Sequence, residues 1–78
     1  MKYSKLSELP PGKSTVITAL GLGGAVRQRL LELGLVPGTR IVCLHCAPAG
    51  SPAAYFVRGA AIAIRRRDAA QIWVEPWD

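Results

Sequence analysis

One run of residues joins a predicted helix to a predicted strand in this chain: RLLELGLVPGTR, residues 29–40. Gly34 follows the last apolar position of the helical pattern, where glycine commonly ends a helix because it enters the left-handed region without strain. Leu35 is then expected to fold back against Leu30, the contact that accompanies this kind of cap. Residues 36–39 place proline second and glycine third, which predicts a type II turn. The run therefore predicts a helix end, a tight turn and a strand, in that order.

The segment before this run has the apolar periodicity of a helix. Four apolar side chains recur on one helical face, which we expect to be buried: Leu22, Val26, Leu30 and Leu33. The start of the helix is weaker, because Gly23 and Gly24 offer no side-chain oxygen to the first backbone N–H groups. Leu31 lies opposite the apolar face, so it is either covered by a second element or exposed.

The segments on either side of the helix are rich in β-branched and alternating apolar residues, as strands are. They predict five short strands, at residues 13–20, 40–46, 55–58, 61–65 and 72–75. Gly59 is expected to turn the hairpin between the third and fourth strands, and Asp68 to cap a short helical turn before the fifth. The predicted fold is therefore mainly β, a small barrel or half-open roll of about five strands. It carries one α-helix between the first and second strands, in a single domain over residues 1–78.

Composition narrows the class of protein. The chain has 78 residues, of which 50% are hydrophobic and 19% charged, with a formal net charge of +5. A disordered tail is excluded, since it would need low hydrophobicity and high charge. A basic domain can bind nucleic acid, an acidic protein surface or anionic lipid, and charge alone does not choose among them. The chain shows neither the apolar run of a signal peptide nor a membrane span, so we expect a cytoplasmic protein that does not insert into a bilayer.

No set of residues in the sequence predicts catalysis. The chain has a single histidine, and it has no Ser, His and Asp arrangement or carboxylate pair with a pocket signature. The glycines at residues 21–24 lack the Gly-Lys-Ser/Thr ending of a phosphate-binding loop. We therefore expect a protein that is not an enzyme and that uses no cofactor.

Cys43, His45 and Cys46 form the only cluster of soft metal-binding residue types in the sequence. Thiolates and imidazole are suitable ligands for zinc or ferrous iron. In a regular strand Cys43 and His45 would share one face and Cys46 would lie on the other. The pattern therefore predicts neither an intramolecular disulfide nor a metal site, and it fits a reducing compartment.

Two groups of surface residues fit the binding of a protein partner. Leu31 lies beside Arg27 among polar residues of the helix, as an apolar contact point in an interface does. Arg65 and Arg66 belong to a run of three arginines at a predicted strand edge, which would attract an acidic surface. We predict partner binding through these four residues. Nucleic acid is disfavoured, because alternation places Arg66 opposite Arg65 and Arg67 and no aromatic stacking platform is evident.

Sequence marks of a known family extend along nearly the whole chain. They are the run at residues 27–38, then Pro48, Gly50 and Pro52, and finally Arg65, Arg66, Asp68 and Ala69. In these marks the chain resembles the FeoA family. The resemblance implies an SH3-like barrel with one helix and a cytoplasmic accessory of bacterial ferrous iron uptake. Its implied partner is FeoB, a membrane transporter with a cytoplasmic GTP-binding domain. The family often has Asp near the helix start, where this chain has Gly23-Gly24-Ala25.

Two other functions stay open on the sequence alone. Barrels of this kind also resemble the C-terminal domains of metal-dependent repressors, so a free-standing regulatory module is one alternative. A basic nucleic-acid-binding barrel is the other, and the steep salt dependence of phosphate contacts would reveal it.

Overall fold

A computed structural model of the chain describes residues 3–77 and shows six strands and three helical segments. The strands are β1 (Ser4–Lys5), β2 (Ser14–Leu20), β3 (Arg40–Cys46), β4 (Ala53–Val57), β5 (Ala60–Ile64) and β6 (Ile72–Val74). The helical segments are a 3-10 turn (Leu6–Glu8), α1 (Gly24–Glu32) and α2 (Arg66–Ala69). The predicted mainly β architecture with one principal helix is confirmed. The sequence does not predict β1, because two residues are too few to show alternation.

Within residues 3–77 the strands form one antiparallel sheet in the order β1-β6-β2-β3-β4-β5. Ser14 of β2 pairs with Val42 of β3, and Ile17 of β2 pairs with Val74 of β6. β1 and β5 lie at the two edges, so this pairing gives a half-open sheet. α1 connects β2 to β3, which are the first two predicted strands.

The core is a single cluster of buried side chains. Tyr55 is its largest fully buried member, and its hydroxyl donates a hydrogen bond to the Leu6 carbonyl oxygen at 3.4 Å. Five strands, both α-helices, the 3-10 turn and three loop positions contribute to it: Leu6, Leu9, Ile17, Leu22, Leu30, Leu35, Ile41, Cys43, Ala53, Tyr55, Val57, Ile64, Ala69, Ile72 and Val74.

The C-terminal end of α1 is closed by backbone hydrogen bonds. The Gly34 N–H donates to the Leu31 carbonyl oxygen and the Leu35 N–H donates to the Leu30 carbonyl oxygen, each at 3.0 Å. These two bonds define a Schellman motif, and Gly34 takes the left-handed conformation that it requires, with φ of 101°. Leu35 and Leu30 are both buried. The predicted helix end is therefore confirmed.

Contacts on both sides hold this helix end in place. The Thr39 N–H donates to the carbonyl oxygen three residues earlier at 3.1 Å, and Gly38 has φ of 94°, which confirms the type II turn. The Gly38 N–H also donates to the Ile17 carbonyl oxygen at 2.7 Å, which joins the turn to β2. On the other side, the Arg58 side chain crosses Gly34 so closely that a Cβ at Gly34 would overlap Arg58 Cδ.

The N-terminal end of α1 lacks such contacts. Gly23 occupies the N-cap position and supplies no side-chain hydrogen bond. Gly24, the first helical residue, has φ of 68°, and the first helical bond, from the Arg27 N–H to the Gly23 carbonyl oxygen, is 3.5 Å long. The predicted weak start of this helix is confirmed.

The short helix α2 begins earlier than predicted. Arg65 is its N-cap, with extended backbone angles, and Asp68 lies inside the helix, so the prediction that Asp68 caps this turn is wrong. The physical reason is an acceptor from a distant loop. The Ser51 hydroxyl oxygen accepts a bond from the Arg66 N–H at 3.1 Å, which satisfies one of the free N–H groups of the first turn.

Candidate partner-binding surface

α1 leaves much of its apolar face in contact with solvent. Val26, Leu30 and Leu33 lie within about 60° of one another around the helix axis. Leu30 is the one buried residue among the described residues of α1, whereas Val26 is 43% exposed and Leu33, at the C-cap, is 37% exposed. The predicted burial of Val26 and Leu33 is therefore wrong. The core uses only the part of the helix face at Leu30, together with Leu22 and Leu35 just outside the helix.

Val26 and Leu33 line a groove between α1 and the segment that runs from the end of β5 into α2. We call it the α1–β5 groove, and its volume is about 160 Å³. Its apolar lining consists of Val26, Leu30, Leu33, Ala63 and Ile64. Its charged lining consists of Arg29, Arg65, Arg67 and Asp68. The groove thus combines an apolar floor with a charged rim.

The charge of this rim is mostly positive. Arg29 stands on the α1 side, and Arg65 and Arg67 stand on the α2 side. Asp68 is the one carboxylate in the lining, so three arginines against one aspartate leave two formal positive charges. Guanidinium groups present paired N–H donors that match the geometry of a carboxylate. The groove is therefore suited to an anionic ligand that also carries an apolar part.

The structure places only one of the four residues expected to bind a partner in the α1–β5 groove. Arg65 lines the α1–β5 groove. Arg27 lies elsewhere on α1, where its Nη1 donates to the Leu20 carbonyl oxygen at 3.1 Å. Leu31 is half-buried, so it is less exposed than Leu33. Arg66 points toward the mid-chain loop, with its Nη1 3.3 Å from where a Cβ on Gly50 would lie.

Eight of the nine groove residues do not appear among those expected from the sequence, including Val26, Arg29, Leu33 and Arg67. Periodicity predicts that Val26 and Leu33 belong to the core, but it does not show how much of a helix face the rest of the domain covers. The sequence does place Arg29 beside the apolar face of the helix and Arg67 in the same basic run as Arg66. It does not show that Arg29 and Arg67 line one groove, because that depends on the tertiary fold.

A second, wider cavity of about 540 Å³ is lined by Tyr3, Thr18, Ala19 and Trp73. The Lys5 ammonium nitrogen lies 5.9 Å from the centroid of the Trp73 ring, within range of a cation–π interaction. Within residues 3–77 the buried Thr18 hydroxyl is without a hydrogen-bond partner. This cavity has a partly exposed aromatic wall and lacks the paired arginine walls of the α1–β5 groove.

The structure also changes the relation between the two cysteines. β3 has a bulge between Cys43 and His45, where its pairing with β4 shifts register. Cys43 pairs with Tyr55 and Cys46 pairs with Ala53, two residues that share the buried side of β4. Because the extra residue of a bulge reverses the alternation that follows it, Cys43 and Cys46 lie on one face. The predicted arrangement, with Cys43 and His45 together, is wrong.

Of these two thiols, Cys46 is exposed, whereas the buried Cys43 is poorly disposed to bind metal or to react. Burial raises the pKa of Cys43 to about 11, with smaller contributions from electrostatic repulsion by the Cys46 sulfur and a hydrogen bond with it. Burial and the two nearby sulfurs also raise the pKa of Tyr55. Cys43 therefore stays a neutral thiol at neutral pH, whereas metal binding and nucleophilic attack need the thiolate. In the part of the chain that the structure describes, no three His, Cys, Asp or Glu side chains are grouped closely enough to share a metal ion.

The FeoA domain family model matches residues 4–76 of the chain. A relative in Porphyromonas gingivalis, the Fe(2+) transport protein A/Fe(2+) transporter FeoB fusion protein, is 41% identical over 71 residues. Those residues make up 91% of this chain and 8% of the fusion protein, so the chain corresponds to a small part of that relative. Across residues 3–77, no helix of the chain has the length and apolar character needed to cross a membrane.

Solved FeoA structures share the fold. The solution structure of FeoA from Chlorobium tepidum is 39% identical, with a TM-score of 0.87 over 91% of this chain and 68% of that one. The crystal structure of FeoA from Stenotrophomonas maltophilia, a prokaryotic SH3 domain protein in complex with zinc, is 32% identical. Its TM-score is 0.78 over 91% of this chain and 88% of that one. The expected SH3-like fold is confirmed, and the chain belongs to the FeoA family.

Proposed function

We propose that this chain is a non-enzymatic accessory of ferrous iron uptake that works in the cytoplasm by docking on a FeoB-type transporter. The observation that supports this is the Porphyromonas gingivalis relative, in which Fe(2+) transport protein A and the transporter FeoB share one polypeptide. A covalent link holds two binding modules at an effective concentration of about millimolar when the linker is short. A separate FeoA domain needs a non-covalent surface to reach the same partner.

The α1–β5 groove is the centre of the proposed docking surface. Its exposed apolar side chains and charged rim resemble the apolar centre and polar border of protein interfaces. Arg27, Leu31 and Arg66 lie outside this groove, and we propose them as an outer part of the same footprint. The affinity should be modest and salt-sensitive, because exposed charges are screened over about 8 Å at physiological ionic strength.

Co-purification tests the proposed function. The tagged chain is mixed with the FeoB protein of the same organism, once as the detergent-solubilised transporter and once as its isolated cytoplasmic domain. We expect the chain to retain at least one of the two at low salt and to release it as the salt concentration rises. If neither is retained under any salt condition, the proposed function is wrong.

A substitution on the outer part then tests the extent of the footprint. Leu31→Glu places a charge on a half-buried surface of α1 away from the groove, so its folding is checked first by circular dichroism. An affinity for FeoB equal to that of the unaltered chain would remove Leu31 from the docking surface. A weaker affinity in a folded variant would keep it.

A further inference from the structure

We propose that the α1–β5 groove binds an acidic amphipathic segment of its partner, a stretch with one or two aliphatic side chains flanked by Asp or Glu. The inference rests on the proposed function for the existence of a protein partner. It adds the chemistry of the segment that this partner presents to the groove.

The exposed apolar side chains on the floor of the groove favour a ligand with apolar side chains. Leu30 and Ile64 are anchored in the core, at 6% and 4% exposed, while Val26 and Leu33 keep 43% and 37% of their surface in water. Removing such surface from water is the main favourable term in protein association. Leu33 also lies next to the Schellman cap of α1, so part of this floor is held in place before a ligand arrives.

The size of the groove favours a peptide side chain over a metabolite. Its volume is about 160 Å³. Sites for small molecules and cofactors commonly enclose about 300–1,000 Å³. A groove of the smaller size takes one or two aliphatic side chains that project from a chain lying across it.

The two walls add a requirement for negative charge. Arg29 on α1 faces the groove from one side, and Arg65 and Arg67 face it from the other. A carboxylate on either side of an aliphatic anchor therefore has a guanidinium to pair with. A basic segment would meet the net positive charge of a lining in which Asp68 is the one carboxylate, which costs affinity and disfavours such partners.

Other ligands of a basic surface fit the groove less well. Single-stranded nucleic acid is bound through aromatic stacking together with positive charge, and the described lining contains no aromatic side chain. A second copy of this chain would bring a further net charge of +5, so self-association through this groove is opposed by repulsion.

Three labelled peptides test the ligand chemistry without any FeoB protein. The first is Glu-Glu-Leu-Leu-Glu-Glu, the second has lysines in place of the glutamates, and the third has serines in place of the leucines. We expect the first peptide to bind at least about tenfold more tightly than either control in fluorescence anisotropy. Only the first peptide has both leucines to contact the apolar floor and glutamates to pair with the arginines of the walls. Backbone amide shifts in NMR should be largest at Leu33 and Arg65. Equal binding of the three peptides, no binding of the first, or shifts confined to other surfaces would overturn the inference.

Matched substitutions then test the groove against the FeoB protein. Leu33→Ser is compared with Leu44→Ser, because these leucines are 37% and 42% exposed and only Leu33 lines the groove. Arg67→Glu is compared with Arg40→Glu, which lies on β3 beside Ser14. We expect each groove variant to weaken FeoB binding about tenfold and each control to change it less than about twofold.

The outcomes separate the inference from the proposed function. If the unaltered chain binds FeoB and all four variants bind equally well, the groove is not the docking site and the proposed function stands. If the unaltered chain does not bind FeoB while the acidic peptide binds the groove, the proposed function fails and the ligand chemistry stands. Circular dichroism confirms folding of each variant. Arg67→Glu changes only an exposed side chain, so it remains informative if Leu33→Ser unfolds.

Discussion

The two ends of α1 are built in opposite ways. At its C-terminal end, two backbone bonds of 3.0 Å, a left-handed glycine and a buried leucine close the helix. At its N-terminal end, a glycine without a side-chain bond is followed by a second glycine with φ of 68°. The well-closed end carries Leu30 into the core and Leu33 onto the floor of the groove. The positions of Leu30 and Leu33 therefore depend on the C-terminal end of α1 and not on its N-terminal end.

Removing the leucine at the closed end should have the largest effect. Leu35→Ala deletes a fully buried side chain, and such truncations cost about 2–5 kcal/mol of unfolding free energy. Urea denaturation measures the change. Val26→Ala is the control from the loose end, where 43% exposure predicts a loss of less than about 0.5 kcal/mol. Equal losses in the two variants would show that the C-terminal end of α1 contributes no more to stability than the N-terminal end.

Gly34→Ala should destabilise the closed end by a smaller amount. The left-handed conformation costs an L-residue about 1–2 kcal/mol, and the added Cβ also displaces the Arg58 side chain. Gly38→Ala is a matched control, since its φ is 94° and no atom lies within 4 Å of the position that the new methyl group would take. The difference between their unfolding free energies measures the contact with Arg58. No difference would mean that Arg58 moves aside without cost.

Amide hydrogen exchange should distinguish the two ends in the unaltered chain. The Gly34 and Leu35 N–H groups are bonded within the cap, whereas the first N–H groups of α1 have no partner inside the helix. We expect the capped amides to exchange at least about tenfold more slowly than those of Ala25 and Val26. Similar rates at both ends, measured by NMR, would contradict the comparison.

Gly23→Asp should strengthen the loose end by the smallest amount. Gly23 has extended backbone angles and open space around its Cβ position, so a side chain can be added without strain. The new carboxylate would accept a bond from the first helical turn and interact with the helix dipole, for a gain of about 0.5 kcal/mol. Gly23→Asn serves as the uncharged control in thermal unfolding. A loss of stability in both variants would show that the fold requires glycine at the N-cap of α1.

The sequence predicts features that depend on a few adjacent residues. The helix end at Gly34 and the turn at residues 36–39 are of this kind, because the bonds that close them join residues up to five positions apart. The strand that follows is predicted from the alternation of its own residues. The features that it does not predict depend on distant residues. The bulge that brings Cys43 and Cys46 together follows from the register of β4, and the start of α2 follows from the Ser51 hydroxyl.

The residues of the candidate site divide in the same way, into those predicted from adjacent residues and those that depend on distant ones. Arg65 is identified from its place in a basic run, but its neighbours in the groove come from α1, more than thirty residues earlier in the chain. Val26 and Leu33 have the spacing of core residues and are exposed because the sheet covers only part of the helix face. A helical pattern gives the direction of an apolar face and leaves open what covers it.

The pairing of β1 with β6 has a practical consequence for protein engineering. Ser4 is the direct partner of Val74, and paired antiparallel residues have Cα atoms about 5 Å apart. The segments that precede Ser4 and follow Val74 therefore start from nearly the same place in the sheet. A short linker from the segment after Val74 to the segment before Ser4 would suit a circular permutant, with its new ends placed outside the loop that carries Ser51, whose hydroxyl holds the start of α2 beside the groove.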